Sequence, residues 1–174
     1  MNIDKILEKQ QEYFKTGETL PVKFRIEQLK KLKRTIIEKE DKIADALKSD
    51  LGKGSYESYM CEIGMVLSEL SYMIKHTKKF AKKKKVHTPL AQFHSVSYRQ
   101  PGPYGNVLIM SPWNYPFLLT IDPLVNAIAA GNTIVVKPSA YSPATGNIVK
   151  EIIEECFDAK YVAVVMGGRK ENET

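Results

Sequence analysis

Three short apolar runs constrain the fold of this chain more than any other feature. NVLIM (106–110), TIVV (133–136) and YVAVV (161–165) are each too short for a helix of their own. Each is continuous enough for a strand covered on both faces. Between the first two lies a helical stretch within 116–130, closed by Gly131-Asn132. Between the second and third, Ile148, Val149, Ile152, Ile153 and Cys156 mark one face of another helix. Strands joined by helical crossovers of this length pair in parallel, so the segment predicts an α/β sheet. Two prolines qualify the crossovers. Pro123 either starts a new turn or kinks the first helix, and Ser142-Pro143 has the form of an N-cap followed by the first helical position.

The residues before this segment follow a different period. Residues 3–15 carry Ile3, Ile6, Leu7, Tyr13 and Phe14 in an amphipathic pattern. Over 22–48, Leu29, Leu32, Ile36, Ile43 and Leu47 recur at three, four or seven residues, predicting one face of a single long helix. SDLGKGSY (49–56) ends it with two glycines. From 56 to about 79, Tyr59, Ile63, Val66, Leu70 and Met73 predict a further helix. KKKKVHTPLAQFHS (82–95) reads as a linker, and SVSYRQ (95–100) alternates like a strand with Val96 and Tyr98 on one face. PGPYG (101–105) is a turn. The chain therefore divides into a helical N-terminal region, 1–94, and an α/β part, 95–174.

In a parallel sheet all strands point their C-terminal ends to one edge, where ligands bind. SPWN follows the first strand, KPS the second and Gly167-Gly168 the third, so three loops share one rim. In SPWNYPF (111–117), Asn114 stands between Trp113 and Tyr115. Its amide either caps the following helix or is held to bond something outside the chain. Lys137, after four apolar residues, either reaches a ribose hydroxyl or phosphate or snorkels to water. Ser139 either caps a helix or meets the same ligand. Gly167-Gly168 either admits a pyrophosphate or is a turn. Neither GxGxxG after a strand nor GxxxxGK[ST] is present.

Other signals are weaker. The net charge of +6 owes much to KHTKKFAKKKK (75–85). With only Phe80 to stack on a base, this run is expected to be a solvated helix end and linker, not a nucleic-acid surface. His76, His87 and His94 lie in or near it without metal-ligand spacing, so no metal site is expected. No apolar run reaches a membrane span, and the charged N-terminus is not a secretory signal. Cys61 and Cys156 are far apart and form no CxxC, which fits reduced thiols in the cytoplasm.

GPYGNVLIMSPWNYPFLLTIDPLVNAIAAGNTIVVKPSAYSP (102–143) closely resembles the aldehyde dehydrogenase superfamily. DLGK (50–53) and YESYMCEIG (56–64) resemble its shorter, dimeric branch, which includes fatty and aromatic aldehyde dehydrogenases. The resemblance implies a Rossmann-like sheet and oxidation of an aldehyde with NAD or NADP through a cysteine thiohemiacetal. It implies that Asn114 supplies a donor to the oxyanion. It places Ser111, Pro112 and Trp113 at the nicotinamide end, Lys137 and Ser139 at the adenosine ribose, and Gly168 towards the adenine and pyrophosphate side. Ala140 stands where the family often has a glutamate that binds both ribose hydroxyls, implying a relaxed or NADP-leaning preference.

Family chains are more than twice this length. The resemblance therefore implies that the catalytic cysteine, the general-base glutamate and the oligomerisation element lie beyond Thr174. The chain is expected to be the N-terminal part of such an enzyme, truncated, inactive alone and marginally stable, with an exposed sheet edge and an uncovered apolar face. A complete parent would form a family-like homodimer. Two other readings compete with this one. The chain is a non-catalytic half-domain that associates with a separate second half or a full-length protomer, or a nucleic-acid binder using 75–85.

Overall fold

A computed structural model describes residues 3–169; residues 170–174, the end of the stretch assigned to the α/β part, lie outside it. Helix α1 (Ile3–Lys15) falls where the amphipathic pattern puts it. The single helix expected over 22–48 is instead two, α2 (Val22–Glu38) and α3 (Glu40–Leu51). Lys39 between them leaves helical geometry, at φ −110° and ψ 15°. No proline or glycine announces this break. Leu29, Leu32, Ile36, Ile43 and Leu47 are all fully buried, so both halves feed one core and the apolar stripe runs on across the hinge. The hinge turns Lys39 towards the later helix α7 (Pro143–Cys156), where its Nζ lies 2.7 Å from Glu151 and 2.9 Å from Glu155. Helix α3 ends at Gly52, in the left-handed conformation that glycine adopts freely.

The helix expected from 56 to 79 is also interrupted. A single turn, α4 (Ser55–Ser58), passes into a π-turn over Tyr59–Ile63 and then into α5 (Gly64–Phe80). Gly64 makes the wide turn possible, because a Cβ there would lie 2.9 Å from the Tyr59 carbonyl oxygen. The extra residue carries both Glu62 and Ile63 to full burial.

The linker expected over 82–95 contains structure. Strands β1 (Lys84–Lys85) and β2 (Tyr98–Arg99) pair antiparallel, with a 3-10 turn at Leu90–Gln92 between them. The strand expected over 95–100 is thus two residues long. Val96 and Tyr98 stay exposed, because no described element covers that face.

Strands β3 (Asn106–Met110), β4 (Thr133–Lys137) and β5 (Val162–Val164) form a parallel sheet in the order β3-β4-β5. The crossovers are α6 (Leu118–Ala130) and α7. This is the α/β arrangement anticipated, with Pro123 inside a continuous α6. Central β4 is buried along its whole length. Edge strand β3 is not covered on both faces as its sequence suggests. Leu108 and Met110 are 61% and 52% exposed while Ile109 between them is buried, so one apolar face stands uncovered among the described residues.

Two buried polar side chains join the helical region to the α/β part. Gln10 on α1 donates to the Ile134 carbonyl at 2.8 Å and the Ala159 carbonyl at 3.1 Å, and accepts from Asn106 at 3.3 Å. Arg25 on α2 donates to the Ala129 carbonyl at 3.2 Å, near the end of α6. Gly131 follows at φ 97°, and a Cβ there would sit 2.8 Å from the guanidinium, so conformation and packing both call for glycine.

Ser142 does not cap α7 as expected, and its buried hydroxyl has no partner among the described residues. The cap comes from Asp50 near the end of α3. Its carboxylate accepts from Ala144 N at 3.1 Å and Thr145 N at 2.7 Å. An ionised carboxylate satisfies two unpaired donors and complements the helix dipole better than a hydroxyl. Asp50→Ala is expected to cost about 0.5–2 kcal/mol in urea unfolding, and Ser142→Ala clearly less. The reverse order would give the capping role back to Ser142.

Candidate functional site

The register of the sheet places the three loops side by side. Met110 pairs with Lys137, and the ladder runs one step further through Ser111 N to the Lys137 carbonyl at 3.2 Å. On the other side Val165 N donates to the Val136 carbonyl at 2.9 Å. SPWN, KPS and the Gly167-Gly168 turn therefore begin at one edge, as the sequence predicts.

SPWNYPF has two halves with different roles. Pro112, Trp113, Asn114 and Tyr115 are exposed, whereas Pro116 and Phe117 are buried. The Asn114 side chain makes no hydrogen bond to any described residue, and α6 has no side-chain cap from its own N-cap residue, Phe117. The amide is thus not spent on the helix. The first amides of α6 are held instead by Glu62 from the π-turn, whose Oε2 accepts from Phe117 N at 2.9 Å and Leu118 N at 3.0 Å.

Glu62 is fully buried, and its other oxygen accepts from Lys53 Nζ at 2.5 Å. Lys53 also donates to the Asn114 carbonyl at 3.3 Å and stands 4.2 Å from the centre of the Tyr115 ring. A third tether is Thr120. Its hydroxyl lies 2.6 Å from Ser111 Oγ and 2.5 Å from the Pro116 carbonyl. A carbonyl only accepts, so the single Thr120 proton goes to Pro116 and Ser111 donates to Thr120. Tethers on both sides thus leave Asn114 presented at the tip.

Lys137 does not snorkel to water. It is 7% exposed, and its Nζ donates to the Gly167 carbonyl at 3.0 Å and, more weakly, to the Pro138 carbonyl at 3.5 Å. It bridges the ends of β4 and β5 and retains a third donor beyond these described partners. Ser139 Oγ accepts from Tyr141 N at 3.2 Å, closing a local turn, and caps no helix. A Cβ on Gly168 would meet nothing within 4 Å, so packing within the described residues does not explain glycine there.

The cysteines stand apart from this rim. Cys156, on α7, is 2% exposed, and burial pushes its thiol above the usual range, keeping it protonated. Cys61 is half-buried in the π-turn. His76 stacks on Tyr72 with ring centres 4.0 Å apart, and His94 lies 3.9 Å from Phe93; His76 is half-buried and His94 exposed. Among the described residues no three His, Cys, Asp or Glu side chains are grouped to hold a metal. Nor is any helix long and apolar enough to cross a membrane.

The model of the aldehyde dehydrogenase family matches residues 1–174. The chain belongs to the aldehyde dehydrogenase family. It is 46% identical over 162 residues to 4,4'-diaponeurosporen-aldehyde dehydrogenase of Staphylococcus aureus, covering 93% of this chain and 35% of that protein. It is 41% identical over 167 residues to the dimeric NADP-preferring aldehyde dehydrogenase of Canis lupus familiaris, covering 95% and 37%. The substrate-bound state of Staphylococcus aureus AldH superposes with a TM-score of 0.96 at 44% identity, over 99% of this chain and 38% of that one. The chain thus spans about a third of the length of these relatives. Aldehyde dehydrogenases bind NAD(P), and NADP complexes stand among the structural neighbours.

Sequence reasoning found the rim but missed its supports, Lys53 and Glu62. Both lie in stretches that carry the family resemblance, DLGK and YESYMCEIG. Nothing local separates them from solvated surface charges.

Proposed function

We propose that this chain is the N-terminal part of an NAD(P)-dependent aldehyde dehydrogenase that oxidises an aldehyde to a carboxylic acid. Within it, Asn114 donates its side-chain amide to the oxyanion formed when a cysteine attacks the aldehyde. One observation carries the assignment: an exposed asparagine amide without a described partner, on a loop tethered at both sides, at the C-terminal edge of a parallel sheet. Neutral amide donors suit this task, because they stabilise developing negative charge without pairing permanently with a nearby thiolate.

The same edge fits a dinucleotide. Lys137 offers a spare ammonium donor, Ser111 and Ser139 offer hydroxyls, Pro112 and Trp113 an apolar and aromatic wall, and Gly168 a position where an added Cβ would meet nothing within 4 Å. The bound cofactor would serve as hydride acceptor. Ala140 puts no carboxylate beside these groups, so a 2′-phosphate meets no repulsion there. The name of the canine relative, NADP-preferring, agrees with this. Cys156 is buried and protonated, and Cys61 lies in the helical region, so the nucleophile is expected from sequence outside residues 1–174.

Trp113 is the only tryptophan and belongs to the loop, so its emission reports cofactor at the site. NADP+ is expected to quench it, with a dissociation constant no more than tenfold above that for NAD+, and Lys137→Met to weaken both. NAD+ binding at least tenfold tighter than NADP+ would overturn the cofactor preference. With aldehyde present, the chain alone is expected not to reduce the cofactor. A second arrangement is favoured by exposed Leu108 and Met110, a surface suited to further chain. Here the chain is a half-domain completed by a separate second half or a full-length protomer. Turnover that returns only when a cysteine-bearing remainder is added in trans would select it. Turnover by the chain alone that survives Cys61→Ser and Cys156→Ser would refute the external nucleophile.

A further inference from the structure

We propose that the buried Lys53–Glu62 pair is a positioning device for the Asn114 loop, fixing where its amide is presented to the reacting oxygen. The catalytic meaning of this device rests on the oxyanion role of Asn114; its mechanical action does not. The pair grips the loop at Asn114 itself and along its C-terminal side. Lys53 holds the Asn114 carbonyl and the Tyr115 ring, and Glu62 holds the amides of Phe117 and Leu118. These contacts each cross at least 55 residues of sequence, so the helical region shares with the sheet in setting the position of the loop.

Stability alone is a weak reason for such a pair. Removing two charges from water offsets much of their attraction, and apolar side chains fill the same space as well or better. An apolar pair, however, cannot accept two backbone N–H groups and grip a carbonyl at once. The local backbone is also built for the task. The π-turn inserts the residue that brings Glu62 inward, and Gly64 permits it. π-turns of this kind are frequent at functional sites.

The test uses the 174-residue chain, with amide hydrogen exchange resolved by NMR and acrylamide quenching of Trp113. In Glu62→Gln the new amide cannot serve both sides: either Lys53 or the two N–H groups must face its NH2. Exchange at Phe117 and Leu118 is expected to rise at least tenfold, with stronger quenching of Trp113, while the β4 amides of Val135 and Val136 keep their protection. Lys53→Arg, which retains charge and donors, is expected to stay within threefold of the parent. Should Glu62→Gln not fold, the double substitution Lys53→Met with Glu62→Leu removes both charges together and is expected to give the same local signature. Unchanged exchange at Phe117 and Leu118, or an equal rise in β4, overturns the proposal. Asn114→Ala is expected to leave both signals unaltered. If the loop loosens in Glu62→Gln while Asn114 proves dispensable for turnover in a cysteine-complemented enzyme, the positioning device stands and only the oxyanion role falls.

Discussion

Glu62→Ala is expected to lower the free energy of unfolding by about 3–5 kcal/mol, because it leaves Lys53 buried without its counter-charge. The Lys53 side chain is 10% exposed and Glu62 is fully buried, so neither charge can recover its hydration without local opening. The same substitution strips an acceptor from the amides of Phe117 and Leu118. Total stabilities of single domains are about 5–15 kcal/mol, so a loss of this size removes much of the margin. Urea unfolding followed by far-UV circular dichroism measures it. A loss below about 1 kcal/mol, the range of exposed ion pairs, would show that the pair is hydrated in solution.

Phe117→Ala is expected to cost a similar amount, about 3–5 kcal/mol, through a different cause. Phe117 has no exposed surface and is among the largest fully buried side chains, packed at the start of α6. Truncating it removes apolar contact and leaves a cavity that the close-packed core only partly closes. The comparison that gives this meaning is Asn114→Ala, three residues away and exposed. Its effect on stability is expected within about 0.5 kcal/mol, as for other surface substitutions free of special contacts. A single urea series on both variants tests whether one heptapeptide divides into an anchor and a presented tip. Equal losses would show that Asn114 is structural.

Much of this architecture was legible beforehand, and the parts that were not share a cause. The sequence by itself determined the three parallel strands, since short apolar runs separated by helical crossovers leave few other ways to bury both faces of β4. It determined that SPWN, KPS and Gly167-Gly168 share an edge, because strand direction alone decides that. It also determined which helix faces point inward: Leu29, Leu32, Ile36, Ile43 and Leu47 are buried as their period requires. Only the tertiary structure decided where those helices break. Lys39 and the π-turn at Tyr59–Ile63 leave the apolar stripe almost in step, so periodicity passes over them. Only the tertiary structure chose Asp50 over Ser142 as the cap of α7, and drew Glu62 and Lys53 beneath the Asn114 loop. A carboxylate or an ammonium group reads the same in sequence whether it is solvated or buried. Its environment is set by the docking of segments some 55 to 95 residues apart, and that distance lies outside any local pattern.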